Sequence, residues 1–80
     1  MRFFFDTFDN GAMIPDHLGL EVTSREMARR TAIETLPYMA LDGLPDGDAH
    51  EFAVHVRDDG GRTVFKASLL FRSRWTTEDD

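Results

Sequence analysis

Hydrophobic and polar residues alternate over residues 51–71, on both sides of the sequence Asp58-Asp59-Gly60-Gly61. Such alternation is typical of strands with one buried face, and Asp-Gly between two alternating runs is a strong hairpin signal. The pattern therefore predicts an antiparallel hairpin with its turn centred on Asp59-Gly60. The pairs expected from this centre are Val54 with Phe65, Phe52 with Ala67, and Val56 with Thr63.

Two further extended segments are predicted at the start of the chain. Residues 3–8 are rich in phenylalanine, the sequence Asn10-Gly11 favours a turn, and residues 12–14 resume an extended pattern before Pro15. Phenylalanines fall at both odd and even positions of the first segment. We therefore expect aromatic side chains on both faces of this strand.

One helix is predicted after these strands. Thr23 and Glu26 have the spacing of a capping box, although Ser24 is a rival cap one residue later. Pro37 lacks the N–H that a helix interior requires and should kink or end the helix nearby, so we expect a straight part over residues 24–36 and a looser turn to Leu41. A stripe at helical spacing predicts the buried face. Its members are Met27, Ala28, Thr31, Ala32, Thr35, Leu36, Met39 and Ala40.

The predicted fold class is α+β, with the element order β-β-α-β-β. The simplest packing is a four-stranded, mainly antiparallel sheet with one helix on one face. Residues 1–75 are expected to form a single domain and residues 76–80 a disordered, solvated tail. A single helix cannot cover both faces of the sheet. The second face, which is partly apolar, is therefore a candidate contact surface.

Composition narrows the classes of function. The chain has 80 residues and no cysteine, so neither disulfides nor thiolate metal sites are available to stabilise a small core. Self-association is the natural alternative, and we expect a homodimer. Fifteen acidic against nine basic residues give a net charge of −6, which argues against nucleic-acid binding. No segment has the length of a membrane span or the pattern of a signal peptide, so a cytoplasmic protein is expected.

Candidate chemistry is sparse. Asp46, Asp48, His50 and Glu51 form the densest group of possible metal ligands, but calcium loops need more oxygen ligands at longer spacing. The remaining histidines, His17 and His55, have no nucleophile or carboxylate at a recognisable motif spacing, and the glycines form no phosphate-binding motif. We therefore predict no catalytic residue, no cofactor and no metal site.

Several short motifs resemble a known group of proteins. They are Phe3-Phe4-Phe5-Asp6, Asn10-Gly11, residues 14–19, Ala28-Arg29-Arg30, residues 44–48 and residues 56–62. With these motifs the chain resembles short proteins of rhizobia and related alphaproteobacteria that are classed as a domain of unknown function. The resemblance implies no established activity and carries no catalytic residue. Tyrosine or histidine often stands in the opening aromatic run of that group, where this chain has phenylalanine.

A second resemblance is to HicB-type antitoxins, which also open with a strand and continue through a glycine-containing segment into a helix with an Ala-Arg pair, here Ala28-Arg29. Three hypotheses about function follow. The first is a non-enzymatic protein–protein interaction or regulatory module. The second is an antitoxin or other regulator linked to nucleic acid, and the third is a ligand-binding protein or enzyme using the cleft between sheet and helix.

The first hypothesis names its contact residues. Aromatic and aliphatic side chains that the predicted core leaves over are expected to form a homodimer through the open sheet face or an edge strand. Two arginines on the helix are candidates for contact with an acidic partner, since Arg25 lies unfavourably near the helix N-terminus. The predicted interaction residues are Phe4, Val64, Leu70, Trp75, Arg25 and Arg29.

Overall fold

The computed structural model describes residues 1–77 and contains a single antiparallel sheet with one helix packed on it. Its elements in chain order are β1 (Arg2–Asp9), β2 (Ala12–Ile14), β3 (Leu20–Glu21), α1 (Arg25–Gly43), β4 (Ala49–Arg57) and β5 (Thr63–Arg72). The predicted α+β class is confirmed, with the two-residue β3 as an additional short strand. Of the tail predicted at residues 76–80, residues 78–80 lie outside the described part.

The sheet has the strand order β2-β1-β4-β5, and all of these pairs are antiparallel. β1 pairs with β4 on one side. On its other side β1 pairs with β2 near its end, where Thr7 lies opposite Ile14, and with β3 near its start, where Phe3 lies opposite Leu20. β2 and β3 thus share one edge of the sheet, and β5 forms the other edge.

The helix begins one residue later than predicted. Ser24 is the N-cap, and its side-chain oxygen accepts the backbone N–H of Met27 at 3.1 Å. The expected Thr23 cap is wrong, because the Thr23 hydroxyl instead lies 3.9 Å from the sulfur of Met27.

Within the part of the chain that the structure describes, no helix is both long and apolar enough to cross a membrane.

The helix continues past Pro37 as α-helix to Gly43, where the sequence predicted a looser turn to Leu41. Proline removes one N–H from the helical ladder and crowds the carbonyl four residues earlier. Here Pro37 is exposed, and so is Ile33, whose carbonyl loses its partner. Water can replace the missing donor on this side, and the buried side keeps its hydrogen bonds.

The core lies between one stripe of the helix and one face of the sheet. Ala28, Ala32 and Leu36 are buried at spacings of four residues, which confirms the centre of the predicted stripe. Two alanines let the helix approach the sheet closely. The sheet residues beneath them are Phe3 of β1 and Phe52, Val54 and Val56 of β4.

The hairpin β4–β5 has the predicted face but a different register. Val54 lies opposite Ala67 and Val56 opposite Phe65, two residues further along than expected. The turn is longer than a two-residue turn. Gly61 N donates to Asp58 O at 3.1 Å, Asp58 N donates to Arg62 O at 2.9 Å, and Gly61, not Gly60, has positive φ. These bonds close a three-residue loop whose last residue is left-handed, a common hairpin form.

Candidate functional site

Strand β5 leaves one edge of the sheet free. β5 pairs with β4 alone among the described strands. Asn10 N donates to Glu51 O and Ser73 N donates to Asp48 O, both at 2.7 Å. Because backbone bonds alternate sides along a strand, these two bonds place the inward-facing groups of β5 at its odd-numbered residues. The N–H groups of Lys66, Ser68 and Leu70 therefore point to the free edge.

This edge has few of the features that block strand addition. It belongs to a ten-residue strand and contains no proline. Lys66 is the single charged residue in its central part, whereas many natural edges are short or heavily charged. Leu69 and Leu70 are exposed on opposite faces of the strand. The edge is thus suited to pairing with another strand.

Trp75 follows β5 and is 98% exposed. It lies three residues beyond Arg72, the end of the strand. A fully exposed tryptophan is unusual in a small domain, because its large apolar ring gains most from burial. This exposure leaves the ring of Trp75 available for contact, and its role as an interaction residue stays a prediction.

A groove lies at the opposite end of β5, between the helix N-terminus and the hairpin turn. We call it the arginine groove. It has a volume of about 650 Å³, and its lining includes Phe3, Arg25, Asp58, Asp59, Arg62 and Val64. A second depression continues it along the helix, with Arg29 and Phe65 on its walls. The groove is therefore partly apolar at its base and charged at its rim.

Two cations of this groove have no partner among the described residues. The side chains of Arg25 and Arg62 make no hydrogen bond, ion pair or ring contact in residues 1–77. Arg29, in contrast, pairs with Glu26 at 2.9 Å and lies 6.0 Å from the Phe65 ring centre. Sequence reasoning selected Arg25 and Arg29 but missed Arg62, which only the turn brings beside the helix.

The groove contains two acidic residues as well. Asp58 Oδ1 accepts the N–H groups of Gly60 and Arg62 at 3.0 and 2.9 Å, so this carboxylate is occupied by the turn. Asp59 lies at the exposed tip of the turn. Neither aspartate forms an ion pair with Arg25 or Arg62 in the described chain. The two guanidinium groups are therefore available to an external anion.

Val64 has a different position from the one predicted. It was expected to point away from the core, but it is half-buried and packs against the core cluster. The reason is a bulge: Phe65 lies opposite Val56 and Thr63 lies opposite Arg57, which leaves Val64 as the extra residue. Val64 thereby becomes part of the arginine groove.

Phe4 lies on the open face, but the chain itself covers much of it. The guanidinium of Arg57 sits 5.0 Å from the centre of the Phe4 ring. Gly19 approaches so closely that a Cβ there would lie 2.9 Å from Phe4 Cε1. Since β4 separates β1 from β5, the structure does not bring Phe4 together with Leu70, Trp75 and the groove.

A buried ion pair sits beside Phe4. Asp6 is 3% exposed and accepts from Arg57 Nε at 2.6 Å and from Arg57 Nη2 at 3.1 Å. Asp6 Oδ1 also accepts the backbone N–H of Asp16 at 2.9 Å. The hydrogen bond from Arg57 holds the pKa of Asp6 below its ordinary value, against the opposing effect of burial. This network joins the sheet to the segment over residues 15–19 and has a structural role.

The candidate group of metal ligands that the sequence offered does not converge. No set of three or more histidine, aspartate or glutamate side chains in residues 1–77 is arranged to hold a metal. His50 and Glu51 are neighbours in a strand and therefore point to opposite faces. His50 is buried and hydrogen-bonds Asp9 through Nε2, while its Nδ1 lies 3.7 Å from Asp46. Its ring stacks on Phe52 at 4.4 Å, so its contacts belong to the fold.

The other two histidines lie apart from it. His55 contacts the ring of Phe8, with centroids 4.3 Å apart, and His17 is exposed in the segment after β2. In residues 1–76 no hydroxyl group hydrogen-bonds to a histidine, so this part of the chain places no nucleophile beside a base.

Comparison with known proteins gives one match. A family model described as a domain of unknown function, DUF6894, matches residues 2–70, which include all five strands and the helix of the described chain apart from the last two residues of β5. No curated protein and no solved structure matches the chain. Because the match covers most of its length, the chain belongs to the DUF6894 family, a family without an assigned function.

Proposed function

We propose that this protein is an interaction module that forms a homodimer by antiparallel pairing of β5 with β5 of a second copy. The observation that carries the proposal is the free ten-residue edge of β5. Its outward N–H and C=O groups repeat along the strand, and a second copy supplies the same set in the reverse direction. Such an interface is two-fold symmetric and closes after two copies.

Charge selects the register of this pairing. When the two-fold axis passes through Ser68, Leu70 of one copy lies opposite Lys66 of the other. Shifting the axis by one residue towards Leu70 would set Lys66 opposite Arg72 of the second copy. Like charges directly opposite each other destabilise a strand pair, so within β5 itself the Ser68-centred register is preferred.

The size of the chain supports the same conclusion. A domain of this length buries only about 60% of the surface that its unfolded chain exposes, and it has no disulfide to compensate. Pairing of β5 would join two sheets into one and cover part of Leu69 and Leu70. It would also place each Trp75 against the other copy.

Substitution of Ser68 tests the interface without removing a bond from the monomer. Ser68→Pro deletes an outward N–H, which proline at an edge position permits, whereas Ser68→Ala keeps it. We expect the wild type and Ser68→Ala to sediment as dimers at micromolar concentration and Ser68→Pro to sediment as a monomer with an unchanged far-ultraviolet circular dichroism spectrum. A wild type that is monomeric throughout this range would disprove the proposal.

A second pair of variants tests the same interface without proline, in case Ser68→Pro misfolds. Leu70 is 55% exposed, so its replacement leaves the core intact. Leu70→Lys sets the new lysine of each copy opposite Lys66 of the other, on both sides of the two-fold axis, whereas Leu70→Gln adds no charge. Weaker dimerisation of Leu70→Lys than of Leu70→Gln supports the edge interface, and equal dimerisation counts against it.

The two alternatives from the sequence stay predictions. An antitoxin resembling HicB requires a toxin partner, and a ligand-binding protein or enzyme requires a ligand in the cleft between sheet and helix. The homodimer is preferred because it uses Leu70, Trp75 and the free edge together. A ligand-binding protein would use the arginine groove between the helix N-terminus and the hairpin turn, and the described residues show no feature particular to an antitoxin.

A further inference from the structure

We infer that His50 and Asp46 form a pH-dependent contact, which we call the His50 latch. It joins strand β4 to the acidic loop over residues 44–48, which connects α1 to β4. When the ring of His50 is charged, it donates to Asp46 and holds the loop, and when the ring is neutral, the loop is released. The latch lies within one copy of the chain and is independent of the proposed β5 interface.

The ring of His50 is held in a fixed position. Its side chain is 3% exposed, and the ring stacks on Phe52 with centroids 4.4 Å apart. The neighbouring strand β5 places Phe71 opposite His50 in the sheet. Because interiors are closely packed, a buried ring cannot turn to find new partners. Its two nitrogens must therefore bond with the groups that lie at its edge.

Asp9 determines which nitrogen carries the first proton. Nε2 of His50 is hydrogen-bonded to Oδ1 of Asp9, at the end of β1. A charged carboxylate has no proton to donate, so the proton of this bond belongs to Nε2. A neutral imidazole has only one N–H. In the neutral ring Nδ1 is therefore a bare acceptor.

This second nitrogen faces a group with which it cannot bond in the neutral state. Nδ1 is buried without a hydrogen-bond partner in the described chain, and Oδ2 of Asp46 lies 3.7 Å from it. Two acceptors cannot form a hydrogen bond, and an unpaired buried acceptor is unfavourable. A second proton on Nδ1 converts this pair into a donor and an acceptor of opposite charge. The side chain of Asp46 is 75% exposed, so it is free to close the remaining distance.

The charged groups around His50 come from two sides. β1 contributes Asp9, and the loop contributes Asp46. Asp42 in the last turn of α1 and Asp48 in the loop carry charge nearby, but neither forms a hydrogen bond or ion pair with His50 in residues 1–77. β5 presents an uncharged aromatic ring on this face. A charged imidazole would thus have one carboxylate at each of its nitrogens.

Nitrogen NMR of the isotopically labelled protein tests where the protons lie. Histidine is the side chain whose ordinary titration falls between about pH 5 and pH 8. We expect Nε2 alone to carry a proton at about pH 8, and both ring nitrogens of His50 to carry one at about pH 5. An alkaline form with its proton on Nδ1, or a ring that is still neutral at about pH 5, would disprove the latch.

A matched pair of variants tests whether the second proton holds the loop. Asp46→Asn removes the charged acceptor but supplies an amide N–H that can donate to a bare Nδ1. At about pH 5 we expect its equilibrium constant for unfolding to be about two- to fivefold larger than that of the wild type, since one partner is exposed. At about pH 8 we expect it to be equal or smaller. Asp48→Asn makes the same change of charge two residues away and should have the same effect at both pH values.

Urea unfolding of the three proteins measures these constants, with all samples at one protein concentration. An effect of Asp46→Asn that is the same at both pH values, or that Asp48→Asn shares, would show that His50 does not hold the loop and would disprove the latch. A monomeric wild type, which disproves the β5 interface, leaves these measurements unaffected, because both partners of the latch belong to one copy.

Discussion

The carboxylate of Asp16 accepts the backbone N–H of Phe5 at 2.9 Å, at a point of β1 that no strand covers. β2 pairs with residues 7–9 and β3 with residues 2–3, so the edge of β1 is open between them. The side chain of Asp16 takes the place of a strand there. Its other oxygen accepts the N–H groups of Leu18 and Gly19, both at 3.1 Å, which shapes the segment itself.

Removal of this carboxylate should lower stability. Asp16→Ala leaves the N–H of Phe5 without its acceptor in a half-buried position, and we expect the free energy of unfolding to fall by about 1–3 kcal/mol. Asp16→Asn keeps one oxygen acceptor and should cost less. Urea unfolding of the three proteins measures both differences. Equal stability of Asp16→Ala and the wild type would show that water satisfies Phe5 without cost.

Stability should also fall in acid. The hydrogen bond from Arg57 lowers the pKa of Asp6. Burial raises the pKa of Asp16, but hydrogen bonds from the N–H groups of Phe5, Gly19 and Leu18 lower it by more, so this pKa also lies below its ordinary value. A carboxylate with a lowered folded-state pKa stabilises the fold above its unfolded value, about pH 4. This contribution is lost as the pH falls through the folded value.

The measurement is the urea midpoint between neutral pH and below pH 4. We expect the midpoint of the wild type to decrease over the acidic part of this range. Asp6→Asn should be less stable at neutral pH, since Arg57 loses its charged partner, and should lose less of its remaining stability in acid. A parallel decline in both proteins would assign the acid sensitivity to other groups.

The sequence pattern predicted which side chains of the hairpin share a face, but not which residues lie opposite each other. Alternation has a period of two, so a shift of two residues preserves the faces. Only the turn distinguishes these registers, and Asp58-Asp59-Gly60-Gly61 is compatible with both a two-residue and a three-residue loop. The longer loop prevails because Asp58 Oδ1 accepts the N–H groups of Gly60 and Arg62.

The two turn glycines should therefore differ in their tolerance of alanine. Gly61 has a φ of +86°, and alanine there should cost about 1–2 kcal/mol, although no atom would crowd its side chain. Gly60 has no such constraint, so Gly60→Ala should be close to neutral. Chemical denaturation of both variants provides the comparison. A larger loss for Gly60→Ala would support the shorter, two-residue turn.

The candidate site was predictable only in part, for a similar reason. Trp75 and Arg25 stand out locally, as an aromatic residue beyond a strand and a cation near a helix start. The tertiary fold places Arg25 and Arg62 in the same groove. It also places the guanidinium of Arg57 over the ring of Phe4. No local pattern contains contacts between residues so distant in sequence.

The cap of the helix offers a test of a local assignment. Ser24→Ala removes the oxygen that accepts the N–H of Met27, and we expect a loss of about 1 kcal/mol. Thr23→Ala removes only a contact with sulfur and should change stability by a few tenths of that amount. Thermal or urea unfolding of both variants decides between them. A costly Thr23→Ala with a neutral Ser24→Ala would restore the capping box predicted from the sequence.

Gly43, the last residue of the helix, should not tolerate alanine, although alanine favours helices by up to about 1 kcal/mol over glycine. A Cβ at this position would lie 2.8 Å from Phe52 Cε1 and 3.0 Å from its Cζ. The ring cannot move freely, because Phe52 is fully buried and stacks on His50. We therefore expect Gly43→Ala to lower the free energy of unfolding by about 1–3 kcal/mol.

Two comparisons establish whether crowding is the cause. Asp42→Ala changes the preceding, exposed residue of the helix and should be neutral or slightly stabilising. In a Phe52→Leu background, which shortens the side chain that the new Cβ would meet, Gly43→Ala should cost clearly less than in the wild type. The coupling between the two substitutions follows from four urea unfolding curves. An equal cost of Gly43→Ala in both backgrounds would show that the Phe52 ring is not the obstacle.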